Sequence, residues 1–445
     1  MKIQLSDHFT YRKLIRFTLP SIAMMIFTSI YGVVDGFFVS NFAGKTPFAA
    51  VNLIMPFLMI AATVGFMFGT GGTAIVAKCL GEGKHQKANE YFSLFVYTSF
   101  ALGVLFSVFG IAFIHPIAKL LGADGKLLDN CVVYGRIFIS ALPFYVLQLL
   151  FQSFFPTAEK PHLGLIVTIS SGLTNMILDA FLVILLPQEH KLAGAAVATA
   201  MSQIIGGGVP LFYFFRKNNG SILRLCKTKF DKTAVLKACT NGSSEFMSNV
   251  SMSVVGMLYN IQLLNYAGEN GIAAYGVMMY VSMIFAAAFI GYSIGTAPVI
   301  GYHYGAENHS ELAGLLRKSL IMIAIFGVAM VISAEILAAP LAKFFVGYDS
   351  GLTELTVSGF RIFAASFIFM GFAIFASGFF TALSDGLTSA VISFLRTLVF
   401  QSAAVIILPM IWGINGVWVS IVVAEFAAVI IGGAFLVTKR RKFHY

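Results

Sequence analysis

Six ionisable side chains interrupt otherwise apolar stretches of the sequence: Asp35 and Asp179 in its first half, Glu245, Glu335, Arg396 and Glu425 in its second. Asn175 stands four residues before Asp179, a spacing that puts its amide on the same face of a helix. Two carboxylates and an amide can hold a proton or bind Na⁺ through oxygen ligands, which is the chemistry of ion coupling. The competing reading is a buried structural pair that shares a proton. Arg396 would be very costly unpaired at membrane depth, so its structural reading is an ion pair with Glu425 or Glu245; the functional reading makes Glu245 a second cation site. Glu335 falls close to the outer end of its run, near water. No metal-spaced His/Cys cluster, nucleophile elbow or Ser-His-Asp arrangement is present, which argues against an enzyme. Gly69-Thr70-Gly71-Gly72 lacks the Gly-Lys-Ser/Thr of a nucleotide loop, so ATP is not the evident energy source.

The elements that must carry these residues are set by composition. Of 445 residues 58% are hydrophobic and 11% are charged, against roughly 25% charged in a soluble domain. That excludes an ordinary soluble enzyme and a disordered chain. The net charge of +10 sits in short clusters outside the apolar runs, not on one continuous face, which excludes a nucleic-acid binder. Twelve runs approach the roughly twenty apolar residues a spanning helix needs, starting near residues 14, 48, 91, 131, 161, 192, 239, 272, 315, 357, 386 and 413. Their length and continuity exclude a strand-based barrel. The first run, from about Leu14 to Phe38, is too long for a signal peptide and is expected to be retained. Most of the 29 basic residues, including seven between Arg216 and Lys237, fall in alternate loops on one side. By the positive-inside rule both termini are then cytoplasmic, and the chain is a multi-pass protein of the plasma membrane, in a bacterium the inner membrane. The cysteines at 79, 131, 226 and 239 read as small core residues.

Sliding the sequence by 224 positions superposes Ala43-Gly44 on Ala267-Gly268, Gly71 on Gly295, Gly81 on Gly305, His85 on His309, Pro116 on Pro340 and Thr157-Ala158 on Thr381-Ala382. The chain reads as a duplicated six-helix unit: an amino-terminal lobe over 1–215, a linker over 216–237 and a carboxy-terminal lobe over 238–445. An even number of spans per copy gives both copies the same orientation, a parallel repeat of the kind that encloses a substrate cleft. The polar residues do not repeat, since Asp35 falls on Tyr259 and Asp179 on Ala403. Gly65-x-x-x-Gly69 and Gly291-x-x-x-Gly295 predict close helix packing.

Leu19-Pro20 followed by Val34-Asp35-Gly36, Gly71-Gly72 leading to Leu80-Gly81-Glu82-Gly83, Asn175-x-x-x-Asp179, and Gly194-Ala195-Ala196-x-Ala198-Thr199 occur in this order along the chain. In these motifs it resembles the prokaryotic multidrug and toxic compound extrusion (MATE) transporters over nearly its whole length. The resemblance implies a cation-coupled antiporter that exports organic cations and drug-like compounds by alternating access, with Asp35, Asn175, Asp179 and Thr199 as the site for H⁺ or Na⁺. It implies a bend of the first helix at Pro20. It marks Gln152 and Glu245 as candidates for substrate binding or a second cation site, to which Tyr31 and Arg396 are added as further polar candidates in the spanning runs. Glu245 matches the acid some members carry on helix seven, but their acid on helix ten is missing, as 360–381 has no Asp or Glu. The expected partners are small organic cations and the lipid bilayer, with the chain a monomer, no nucleic acid bound and no cofactor beyond the coupling ion. The alternative is a flippase for a lipid-linked saccharide, from the wider superfamily.

Overall fold

The computed structural model describes residues 3–216, 220–347 and 349–445, and every regular element among them is helical. In hydrocarbon each backbone N–H and C=O must be satisfied within the segment, and an apolar helix does this alone. The first half contains α1 (Tyr11–Phe38), α2 (Lys45–Gly81), α3 (His85–Leu120), α4 (Gly125–Ser140), α5 (Leu142–Thr157), α6 (Pro161–Leu185) and α7 (Lys191–Phe215). A short α8 (Lys232–Asn241) precedes the second half: α9 (Ser243–Gly305), α10 (His309–Val346), α11 (Ser350–Ala364), α12 (Ser366–Ala382), α13 (Gly386–Phe394), α14 (Gln401–Trp412), α15 (Ile414–Thr438) and α16 (Arg440–Phe443).

Among the described residues nine helical segments are long and apolar enough to span, and the bent pairs α4/α5 and α11/α12 add two. The 63 residues of α9 would run about 95 Å as one rod, three times the roughly 30 Å of a hydrocarbon core. Gly268, with φ +61° and ψ −150°, breaks α9 into two spans and brings the total to the expected twelve. Gly44, 224 residues earlier, makes the equivalent turn at φ +108°; both conformations are ones that a side chain would strain.

The duplication is written in the backbone as well. The bends of 57° and 44° fall at Ala141 and Ala365, again 224 apart. The left-handed residues Gly83 and Glu307 keep that spacing, but Glu159 and Ser384 stand 225 apart. The half of the fourth span after the bend is therefore one residue longer in the second lobe, α5 (16 residues) ending at Thr157 and α12 (17 residues) at Ala382, while the half before it is one residue shorter, 15 residues in α11 against 16 in α4. The alignment of Thr157 with Thr381 is accordingly one residue off in structural terms.

The segment expected as a linker is partly helical. Asp231 caps α8 by accepting from the N–H groups of Thr233 and Ala234 at 2.9 and 3.1 Å, and residues 217–219 lie outside the described residues. Cys79 and Cys131 are core residues as expected, whereas Cys226 and Cys239 are only half-buried. Cys226 belongs to the segment after α7, which lies along α3 with its N–H donating to Ser93 Oγ at 2.9 Å.

The two lobes meet near the end that carries both termini. There a Cβ on Gly81 would strike the Tyr302 carbonyl and one on Gly305 would strike the Lys78 carbonyl, a reciprocal crossing of α2 with the end of α9. Gly291 and Gly295 admit the backbone of α1 at Ser21, Ile22 and Thr18, and Gly242 admits Met67 of α2. Small residues let helix backbones approach closely where burial between lipid-soluble surfaces gives little drive. Toward the other end Gly32 and Gly36 of α1, and Gly256 and Gly276 of α9, have nothing within 4 Å of a Cβ. Close backbone contact between the lobes is thus found at one end of the seam, and open space beside these helix backbones toward the other. Gly81→Ala should lower stability by about 1–3 kcal/mol, the cost of overpacking a close contact. Gly256→Ala should leave it unchanged, and thermal unfolding in detergent measures both.

Beyond α15 the chain folds back. Phe443 packs edge-on against Tyr304 at 5.8 Å, and Lys439 Nζ reaches Asp385 Oδ2 at 3.0 Å. Burial pushes the Asp385 carboxyl up, but hydrogen bonds from Lys439 and Thr388 with the charges of Lys439 and Lys442 outweigh it, and the carboxyl is held below its ordinary range. A carboxylate with a depressed native pKa stabilises above its unfolded pKa, and loses that contribution as pH falls through the native one. Asp385→Asn should therefore cost roughly 1 kcal/mol at pH 7, in the range of a partly exposed ion pair. The deficit should persist to pH 5 and vanish only in strong acid, as read from melting curves of the two proteins.

Candidate functional site: the paired carboxylates of the first lobe

Four of the sequence-derived candidates converge. Asp35 lies in the last turns of α1, just before a π-helical turn over Val39–Ala43, the kind of extra-residue turn that re-aims side chains. Asn175 and Asp179 sit one turn apart on α6, and Thr199 on α7; α6 packs on both α1 and α7. The Asp35 carboxyl has Asp179, Asn175 and Thr199 as its side-chain neighbours. Thr199 Oγ1 donates to Asp35 Oδ1 at 3.4 Å, a long bond. Asp35 is half-buried, whereas Asp179 is fully buried behind it.

Both carboxyl oxygens of Asp179 and both amide atoms of Asn175 are buried with no hydrogen-bond partner among the described residues. Leaving such atoms unsatisfied is expensive, so the site is built to accept something. Its donor set of carboxylate, amide and hydroxyl oxygens suits a proton or a hard monovalent cation such as Na⁺ at Asp35, Asn175 and Asp179.

The site has a fifth member that the sequence did not single out. Tyr134 on α4 is fully buried, its hydroxyl has no hydrogen-bond partner among the described residues, and it neighbours Thr199 and both carboxyls. Nothing distinguishes it in sequence, because a tyrosine in an apolar run normally reads as packing. Tyr31, one turn before Asp35, lies beside Gln148 and over Gly172, which has no side chain to displace its ring. Gln148 Nε2 donates to Ser171 Oγ at 3.4 Å, and Ser171 Oγ donates to the Ser202 carbonyl at 2.7 Å. Gln152 lies one turn further along α5, buried, with neither amide atom hydrogen-bonded among the described residues. Pro20 is buried inside α1, which continues helical on both sides of it.

The second lobe has no such pair. Tyr259, at the position equivalent to Asp35, stacks on Tyr275 at 5.0 Å and bonds Ser420 Oγ at 2.8 Å. Arg396 and Glu425 are joined: Arg396 Nε donates to both carboxylate oxygens at 3.0 and 2.8 Å, and Nη2 donates to Oε1 at 2.8 Å. Of the two partners considered for Arg396, the structure thus selects Glu425. A second π-helical turn, Leu395–Phe400, presents the arginine. Glu245 is half-buried, close enough to feel the Arg396 charge without pairing with it. Glu335 forms an exposed pair with Arg361 at 3.4 Å.

Twelve spans in two parallel lobes, a seam in close backbone contact at one end, and ionisable groups buried beside it define a multi-pass membrane transporter rather than an enzyme. Two copies of the MatE family model match residues 20–181 and 246–407, one in each lobe. The chain belongs to the MatE family. It is 26% identical over 416 residues to the multidrug export protein MepA of Staphylococcus haemolyticus (strain JCSC1435), covering 93% of this chain and 90% of the relative. Against MepA of Staphylococcus aureus (strain MRSA252) it is 22% identical over 415 residues, covering 93% and 91%. The fold matches a MATE structure in complex with MaL6 with a TM-score of 0.92, at 21% identity, over 98% of both chains. It also matches the outward-facing conformation of a multidrug resistance MATE family transporter with a TM-score of 0.91, at 21% identity, over 98% and 97%.

Proposed function

We propose that this transporter is a cation-coupled antiporter that exports organic cations and drug-like compounds, with H⁺ or Na⁺ bound at Asp35, Asn175, Asp179 and Thr199 and with Tyr134 completing the site. The observation that carries the proposal is the half-buried Asp35 carboxyl set against a fully buried Asp179 whose two oxygens accept no hydrogen bond from any donor among the described residues. Two adjacent buried carboxylates cannot both stay charged without a counter-ion, so the site holds a shared proton or a cation. The multidrug export named for the staphylococcal relatives supports the substrate class.

The basic side, which carries both termini, is taken as cytoplasmic, and the bodies that move are the lobes over 1–215 and 238–445. The coupling ion enters through the open end of the seam, reaches Asp35 first, and weakens the hold on a cation that leaves the same way. Expelling one positive charge against 100 mV costs about 2.3 kcal/mol, and one entering monovalent ion returns the same amount. One-for-one exchange therefore runs on the ion's chemical gradient alone. Arg396, the deep cation that could hold a lipid pyrophosphate, is already engaged bidentately by Glu425, which favours drug export over lipid flipping.

Dye efflux from proteoliposomes with the proton and sodium gradients imposed separately tests the proposal. One gradient should drive uphill dye movement and the other should not. Equal flux with neither gradient would overturn it.

A further inference from the structure

A buried carboxylate with charged neighbours, that of Glu311, remains unused by the proposed transport site. It lies where the segment ahead of α1 crosses the close-packed end of the seam. Leu5 and Phe9 of this segment are 1% and 0% exposed. On one side the Leu5 N–H donates to Glu159 Oε1 at 3.0 Å, in the turn between α5 and α6 of the first lobe. On the other side it is gripped by α10 of the second lobe. The Phe9 N–H donates to Glu311 Oε1 at 2.9 Å, His8 Nδ1 lies 2.6 Å from Glu311 Oε2, and Lys318 Nζ donates to the Phe9 carbonyl at 2.5 Å. The Phe9 ring also sits edge-on to buried His303 of α9 at 6.5 Å. Leu5, His8 and Phe9 thus tie together two lobes that must separate here if the transporter opens to this side.

Glu311 is the informative residue. It is 6% exposed, and its carboxylate is held by His8 and Phe9 of the strap, with Lys318 at 3.9 Å. A buried carboxylate stripped of its partners is strongly unfavourable. Releasing the strap from α10 would uncover that charge, so the parting falls at the other end, where the Leu5 N–H meets Glu159.

The duplication supplies an independent argument. Moving the strap by 224 residues lands it on the segment leading into the second lobe, with Asp7 on Asp231. The residues just ahead of that image dock on α3, the first lobe's equivalent of α10: the Arg224 N–H donates to Asn89 Oδ1 at 2.7 Å and the Cys226 N–H to Ser93 Oγ at 2.9 Å. The chain leading into each lobe is thus held by the third span of the other, but only the strap on α10 is secured by a buried carboxylate.

We propose that residues 3–10 form a latch that holds this end of the seam shut, with Glu311 as its permanent anchor and Glu159 as its releasable one. The latch does not depend on which ion is coupled or which compound is carried.

The test uses the full chain in nanodiscs, with its four cysteines replaced by serine and spin labels on exposed Gln86 and Arg317, at this end of opposite lobes. One short distance should dominate in the parent protein. Removing residues 3–9, or making Glu311→Ala, should shift the ratio of long to short distances tenfold or more toward separation; Glu159→Ala should do so by a smaller factor. Unchanged distances in all three would overturn the latch. Because Glu311→Ala could simply misfold, cross-linking gives a second readout. Disulfides formed by copper-phenanthroline between Leu5→Cys and Glu159→Cys and between His8→Cys and Glu311→Cys hold the anchors within the reach of four residues, at most about 14 Å. The protein with both bridges should lose dye efflux and regain it on reduction, while the protein with only the His8–Glu311 bridge should keep it. Normal efflux with both bridges closed would also overturn the proposal.

Discussion

Asp35→Asn is expected to reduce ion-driven efflux to the level of protein-free liposomes while leaving the protein folded. The side chain is half-buried at the cleft side of the site, so the amide replaces the carboxylate with little change of volume. What it removes is one of the two negative charges that make a proton or Na⁺ necessary there. An amide neither takes up a proton at working pH nor offers a full charge to a cation, and the fully buried Asp179 behind it is left without the group that receives the ion from the open end. Thr199→Ala should be much milder, because its bond to Asp35 is 3.4 Å long; a hydrogen bond weakened in this way contributes about 0.5–1.5 kcal/mol, roughly two- to thirteenfold in rate. Initial rates of gradient-driven dye efflux check the order Asp35→Asn far below Thr199→Ala. Equal rates for Asp35→Asn and the parent protein would remove Asp35 from the coupling site and leave the latch at Glu311 untouched.

The architecture was legible because the bilayer allows few alternatives. Apolar runs had to be helices, their number set the topology, and the repeat survived in glycines whose lack of a side chain is required at the α2–α9 crossing. The Asp35, Asn175 and Asp179 set was legible for a related reason: so few charges occur in spanning segments that each one is conspicuous. Tyr134 and Gln148 were hidden because their types are common in packed helices and their role comes from α4 and α5 folding back against α6 and α7. The strap was hidden as well. Leu5 and Phe9 look like an ordinary lead-in to a helix, and Glu311 like a first-turn acid; only the fold brings them together across 302 residues. The one-residue shift between α5 and α12 was invisible to identities that happened to align in the wrong register.

Arg396 and Glu425 set the remaining large effect, and two substitutions separate their structural role from any role in binding. Glu425 is fully buried and Arg396 is 15% exposed, with three hydrogen bonds of 2.8–3.0 Å between them. Glu425→Ala strands a guanidinium in a low-dielectric interior and should destabilise the protein by roughly 3–5 kcal/mol. Removing both charges together, Arg396→Met with Glu425→Leu, deletes the desolvation cost along with the attraction and should return stability to within about 1–2 kcal/mol of the parent. Thermal unfolding of the two variants measures that recovery. Transport then decides what the arginine is for. If the pair only packs the second lobe, the double variant should export dye at close to the parental rate. If the N–H groups that Arg396 does not spend on Glu425 contact substrate, or if its charge tunes the neighbouring Glu245, the double variant should fold but transport poorly. In the second case, restoring Glu425 alone onto Arg396→Met should not rescue efflux, because it returns a buried carboxylate without the cation that satisfied it.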